Sequence, residues 1–175
     1  MGERTCMEAA LAKLNYRMRT EAELEKALRE LGYAGEDISA TMEELRNFGY
    51  LDDERYIREF YRISRRKSWS RSRIVRALKE KGITGSQAEN VLDDFEDSDE
   101  YRDLGLDQDE RDLALKVGRN MAGIQLGRGK SLDDNFLKKV GRRLTSLGYD
   151  TGCCFYVMKK LKDEASSIYQ GEDEQ

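Results

Sequence analysis

Residues 73–95 read RIVRALKEKGITGSQAENVLDDF, and two other stretches repeat the pattern: ELEKALRELGYAGEDISATMEELRNF at 23–48 and KVGRRLTSLGYDTGCCFYVMKKL at 139–161. Aligning them on Gly32, Gly82 and Gly148 brings apolar residues into register. Eight positions before the glycine stand Leu24, Ile74 and Val140, and four before it Leu28, Leu78 and Leu144. One position after it stand Tyr33, Ile83 and Tyr149; ten after it, Met42, Leu92 and Met158; thirteen after it, Leu45, Phe95 and Leu161. Recurrence at a fixed offset marks a repeat architecture, in which each copy is one supersecondary unit.

Within a copy the spacing is helical. Leu24, Ala27, Leu28 and Leu31 follow i, i+3, i+4, i+7, the apolar stripe of one helix. Thr20 and Glu23 stand at capping-box spacing and open that helix. Gly32 then supplies a left-handed residue just past the helix end, and Tyr33 folds apolar surface back over it. The same reasoning predicts positive φ at Gly82 and Gly148. A second helix turns Ile38, Met42 and Leu45 inward. Another helix precedes each pair, over 6–19, 52–67 and roughly 108–124.

The composition agrees. Proline is absent, and a proline inside a helix costs about 3 kcal/mol. No stretch alternates apolar and polar residues over strand length. Charged residues make up 38% of the chain against a norm of about 25%, which suits thin helical layers with much exposed surface. The predicted fold is all-α, with three tandem three-helix repeats in an elongated, curved array. The expected organisation is a first repeat over 1–50, a basic second repeat over 51–97 and a flexible acidic linker over 98–110. A third repeat follows over 111–165, then a disordered acidic tail over 166–175.

Several function classes drop out. Cys6, Cys153 and Cys154 are odd in number and two are adjacent, so they form no disulfide framework and fit a reducing cytoplasm as buried thiols. The chain has no histidine and no C-x-x-C, which leaves no zinc site. No apolar run approaches the roughly 20 residues of a membrane span, and the N-terminus has no signal-peptide pattern. A soluble cytoplasmic protein without membrane contact is expected. Residues 127–131, GRGKS, resemble the end of a phosphate-binding loop, but Ile124 stands where that loop needs glycine and no strand precedes it. The carboxylates cluster in linker and tail, away from any site that would tune them. No catalytic residue, metal or cofactor is expected, and the protein is not an enzyme.

The net charge of −4 conceals segregation. Residues 55–81 hold eleven Lys/Arg against Glu59 and Glu80, residues 93–112 hold eleven acids against Arg102 and Arg111, and residues 163–175 hold five acids and no base. At about 100° per residue, Arg55, Arg58, Arg62, Arg65 and Arg66 share one stripe, with Tyr56, Ile57, Phe60, Tyr61 and Ile63 towards the core. Arg73, Arg76 and Lys79 make a second row on the next helix. Lys67 and Arg71 flank Trp69 in the turn between them, where Trp69 is expected to pack. So few acids compensate that these rows suit a phosphate backbone. The binding candidates are Arg62, Arg65, Arg66, Lys67, Arg71, Arg73, Arg76 and Lys79, with Lys138, Lys139, Arg142 and Arg143 as a second group.

Residues 11–33, LAKLNYRMRTEAELEKALRELGY, and 47–83, NFGYLDDERYIREFYRISRRKSWSRSRIVRALKEKGI, resemble the RecX family. The latter carries that family's most recognisable features: Leu-Asp-Asp, an aromatic-rich helix, a basic turn, then Arg-Ile and Lys-Gly-Ile. The resemblance extends over about residues 9–162. It implies tandem three-helix repeats that lodge in the groove of the RecA–single-stranded-DNA filament. There they would regulate ATP hydrolysis and strand exchange in DNA repair, typically by inhibition. The expected partners are the RecA filament and the single-stranded DNA within or beside it, and the expected state is a monomer. Two other readings stay open, a helix-turn-helix DNA-binding regulator and a structural adaptor without a nucleic-acid role.

Overall fold

A computed structural model describes residues 4–170, with side chains to 166. The described residues form ten helices and no strand: α1 (Cys6–Tyr16), α2 (Glu21–Glu30), α3 (Gly35–Asn47), α4 (Asp53–Arg66), α5 (Arg71–Glu80), α6 (Gly85–Glu96), α7 (Asp99–Asp103), α8 (Glu110–Leu126), α9 (Asp134–Ser146) and α10 (Thr151–Gln170). Helix starts follow local chemistry. Thr5 and Thr20 each form a full capping box, with Glu8 and Glu23. The side chains of Thr84, Asp109 and Asp133 accept first-turn amides of α6, α8 and α9. These contacts satisfy amides that have no partner within the helix.

The three aligned glycines end α2, α5 and α9 as predicted, with φ of 87° at Gly32, 87° at Gly82 and 91° at Gly148. Past each one, the next amide reaches back five residues: Tyr33 to the Leu28 carbonyl (3.4 Å), Ile83 to Leu78 (3.1 Å) and Tyr149 to Leu144 (3.2 Å). The columns of the alignment are the core. Leu24, Ile74, Val140, Leu28, Leu78 and Leu144 are all fully buried. Two columns are incomplete: Tyr33 is only partly buried, and in α10 Val157 is fully buried where Met158 is only partly so.

The chain divides into two compact units, one of residues up to 62 with 75–98, the other of 63–74 with the residues from 99 on. In the first unit, α1–α3 enclose Cys6, Ala10, Leu24, Leu28, Ile38, Met42 and Leu45. From α4 and α6, Tyr61 meets Phe95 edge-on at 6.2 Å. The N-terminus of α2 receives the C-terminal end of α5: the Thr20 hydroxyl donates to the Lys81 carbonyl (2.6 Å), and a Cβ at Gly82 would collide with that of Ala22. Glu23 accepts from Arg17 (2.9 Å) and Lys81 (3.1 Å). Burial raises the Glu23 carboxyl, yet these two cations outweigh it and hold it below the usual carboxylate range.

In the second unit, α8–α10 share a core that includes Ala114, Leu137, Val140, Leu144, Val157 and Leu161. Gly118 lets α8 approach α10, since a Cβ there would lie 2.7 Å from Val157 Cγ1. The junction seen at Thr20 recurs here. Ser70 stands twelve residues before Gly82, as Thr20 stands before Gly32. The Ser70 amide donates to the Leu147 carbonyl (2.9 Å), and a Cβ at Gly148 would lie 2.5 Å from Ser70 Oγ and Arg73 Cβ. Thr20 and Ser70 are both buried.

Three expectations change. Arg65 is buried at 6% exposure and Ile63 is exposed at 50%, the reverse of the predicted helix face. Arg65 follows Tyr61 by four residues and so lies only about 40° round the helix from it, on the flank that Gln108 and Glu110 cover. The stretch expected to be a flexible acidic connector contains α7, anchored by buried Tyr101. Helix α10 runs on to Gln170, through the first part of the stretch assigned to the tail, and residues 171–175 lie outside the described residues. No described helix is long and apolar enough to cross a membrane.

Candidate nucleic-acid interface

The predicted cations divide into two classes. Arg66, Lys67, Arg76, Lys79, Lys138, Lys139, Arg142 and Arg143 are exposed, and among the described residues none of them forms an ion pair. The other four have structural duties. Arg62 pairs with Glu59 one turn away (2.9 Å). Arg65 donates to the Gln108 carbonyl (2.9 Å) and faces Glu110 at 3.6 Å. The half-buried Arg71 gives its backbone amide to Glu110 (2.5 Å). Arg73 lies over the Trp69 ring at 3.9 Å and donates to the Ser146 carbonyl.

Trp69 therefore packs, as expected. It lies against the core of α8–α10, and the Tyr149 hydroxyl donates to the neighbouring Ser68 carbonyl (3.0 Å). The basic turn between α4 and α5 is thus a docked element of the second unit. Sequence periodicity missed this role because the partners lie 39 to 81 positions away. A signal did exist: Ser70 occupies the repeat position of the capping Thr20.

Removing Arg65 tests this assignment. The Arg65→Ala variant should lose about 1–3 kcal/mol of stability, because the part-buried bond to the Gln108 carbonyl, the contact with Glu110 and the packing of a buried side chain are lost together. The exposed neighbour Arg66→Ala should stay within about 0.5 kcal/mol of the parent. Urea unfolding followed by circular dichroism separates the two, and equal losses would remove the distinction.

On α9 the four cations form one surface. Lys138, Lys139, Arg142 and Arg143 recur at i, i+1, i+4 and i+5 and lie opposite the buried Phe136, Leu137, Val140 and Leu144. Apolar grooves flank them. Lys139 and Arg143 border one with Met121 and Ile124, the latter 59% exposed. Lys138 and Arg142 border another with Met158 and Phe155, the latter 63% exposed. Cations beside exposed apolar side chains can meet phosphates and rings together.

No metal-ligating group of three or more His, Cys, Asp or Glu side chains occurs among the described residues. All three cysteines are free and buried. Burial foremost, with Asp150 nearby, pushes the Cys153 thiol up to about 11. A thiol must ionise to react, so the native protein at pH 8 should give almost no reaction with a chromogenic disulfide reagent. All three thiols should react once the chain is unfolded. Rapid native labelling would show that α1, which carries Cys6, or α10, which carries Cys153 and Cys154, opens.

A family profile for RecX, first three-helix domain, matches residues 6–45, and one for RecX, second three-helix domain, matches residues 52–92. The regulatory protein RecX of Clostridium perfringens is 31% identical over 156 residues, covering 89% of this chain and 68% of its own. That of Mycolicibacterium vanbaalenii is 32% identical over 133 residues, covering 68% and 72%. The crystal structure of RecX from Lactobacillus salivarius superposes with a TM-score of 0.66 at 23% identity, over 90% of this chain and 94% of that one. The helical repeat, the glycine stops and these relatives agree: the chain belongs to the RecX family of regulatory proteins.

Proposed function

We propose that this protein binds the RecA–single-stranded-DNA filament and lowers its ATPase and strand-exchange activity, as a non-enzymatic regulator of recombinational DNA repair. It acts in the cytoplasm as a monomer, through three three-helix repeats. The observation that carries this reading is that eight of the twelve predicted cations are exposed and form no ion pair among the described residues. They persist in a chain of net charge −4, where intramolecular carboxylates are plentiful. A protein that leaves cations uncompensated beside so many acids is built for an anionic partner, and a nucleoprotein filament is one. Four of these cations share one face of α9, so they can meet a phosphate backbone together.

The test is co-sedimentation with RecA filaments, with naked single-stranded DNA and with neither, alongside RecA ATPase at rising protein concentration. Filament-dependent co-sedimentation with falling ATPase is expected. Sequence-selective binding to duplex DNA would instead support a helix-turn-helix regulator. Absence of any nucleic-acid dependence would support a structural adaptor.

A further inference from the structure

The second unit contains a cleft that shares Arg66 with the basic-face reading but adds residues that reading does not use. It has a volume of about 390 Å³ and lies between the end of α4 and the α7–α8 segment. Three cations line it, Arg65, Arg66 and Lys116, together with the amides of Gln108 and Asn120. No carboxylate lines it. Glu110, the nearby acid, is engaged by Arg65 and by the Arg71 amide. The remaining lining is Ser68, Gly105 and the apolar side chains of Leu104, Leu106 and Leu113.

We infer that this cleft takes one nucleotide of a single-stranded nucleic acid, with the phosphodiester against Arg66 and Lys116 and the base against the leucines. Three features favour a nucleotide. The positive lining matches a phosphate, and Arg65 is already held in place by the Gln108 carbonyl, so little ordering remains to be done on binding. The amides of Gln108 and Asn120 can both donate and accept, which suits a base edge. The volume falls within the range of about 300–1,000 Å³ usual for small-molecule sites, more than a single carboxylate side chain needs. The acidic segment 99–109 builds one wall of this cleft, although its charge alone suggests the opposite role. This inference rests on the reading above in taking single-stranded DNA as a partner, but Lys116 and Asn120 belong to neither group of predicted contacts.

The experiment uses the full chain with fluorescein-labelled oligothymidylate, followed by anisotropy across a salt series. Lys116→Glu and Asn120→Asp alter exposed positions of α8, so circular dichroism should match the parent. Each should weaken oligonucleotide binding by about tenfold, the usual scale of a lost hydrogen bond to a charged group. Lys116→Glu should also flatten the log–log salt slope by about 0.7, one single-strand phosphate contact. Lys116→Arg should bind as the parent does, and thymidine 5′-monophosphate should compete only weakly. Parental binding by both Lys116→Glu and Asn120→Asp would overturn the inference. So would thymidine monophosphate that binds as tightly as the oligonucleotide, which would mark a free-nucleotide site, or competition by polyglutamate at matched charge, which would mark an acidic-peptide site. If charge reversal on α9 releases the filament while the cleft variants retain it and bind oligonucleotide normally, the cleft fails and the function stands. If the cleft variants lose oligonucleotide while the parent protein leaves filament ATPase untouched, the function fails and the cleft stands.

Discussion

Replacing Gly82 by valine should destabilise the protein by on the order of 3 kcal/mol, and Gly148→Val should do the same. Two effects add. The first is conformational, because a left-handed backbone costs a residue with a Cβ about 1–2 kcal/mol, and both glycines lie near φ 90°. The second is steric. Gly82 faces the Cβ of Ala22, and Gly148 faces Arg73 and Ser70, so added side-chain atoms must push helices apart at about 1–3 kcal/mol. Gly32→Val is the internal control. Its φ is the same 87°, yet a Cβ there meets nothing within 4 Å, so only the conformational cost remains. Urea denaturation of the three variants measures the difference. Equal losses at all three positions would show that the helix-end junctions contribute nothing and that only backbone conformation matters.

Reversing Lys138, Lys139, Arg142 and Arg143 to glutamate should abolish filament binding while leaving the fold intact. All four are exposed, so each substitution should move stability by no more than about 0.5 kcal/mol. If the four touch single-strand phosphates, each lost contact should lower the log–log salt slope by about 0.7. If they meet acidic groups of the recombinase, affinity should fall without that counterion signature. A folded quadruple variant that still suppresses RecA ATPase would return the α9 face to ordinary solvated surface. Arg65 is unsuited to such a test, because Arg65→Glu would bury a carboxylate near Glu110 and report on folding.

The contrast between Arg65 and Lys138 shows how much of the site was legible beforehand. Both are basic residues on amphipathic helices. On α9 the apolar positions are strong and contiguous, so their opposite face is the exposed one, and all four cations lie exposed on it. On α4 the apolar side chains spread over a wider arc, and Arg65 sits at its margin. Whether a marginal residue is buried depends on what covers that flank. Here residues 108–110 cover it, 43 positions downstream for the Gln108 carbonyl, and no local pattern announces them.

The same division holds for the whole molecule. Helix content, the glycine stops, the capping box at Thr20 and the core columns follow from the sequence by itself. Each depends on interactions within a few residues: i, i+3, i+4 spacing, a hydroxyl three residues before an amide, a residue free to adopt positive φ. Tertiary structure alone decided which cations stay available, that the acidic stretch would hold a helix and wall a basic cleft, and that Thr20 and Ser70 would each receive the end of a distant helix. These outcomes depend on charge partners and steric fits between segments tens of residues apart. Such pairings form only after the helices dock, and a like-looking row of arginines carries no mark of which member will be covered.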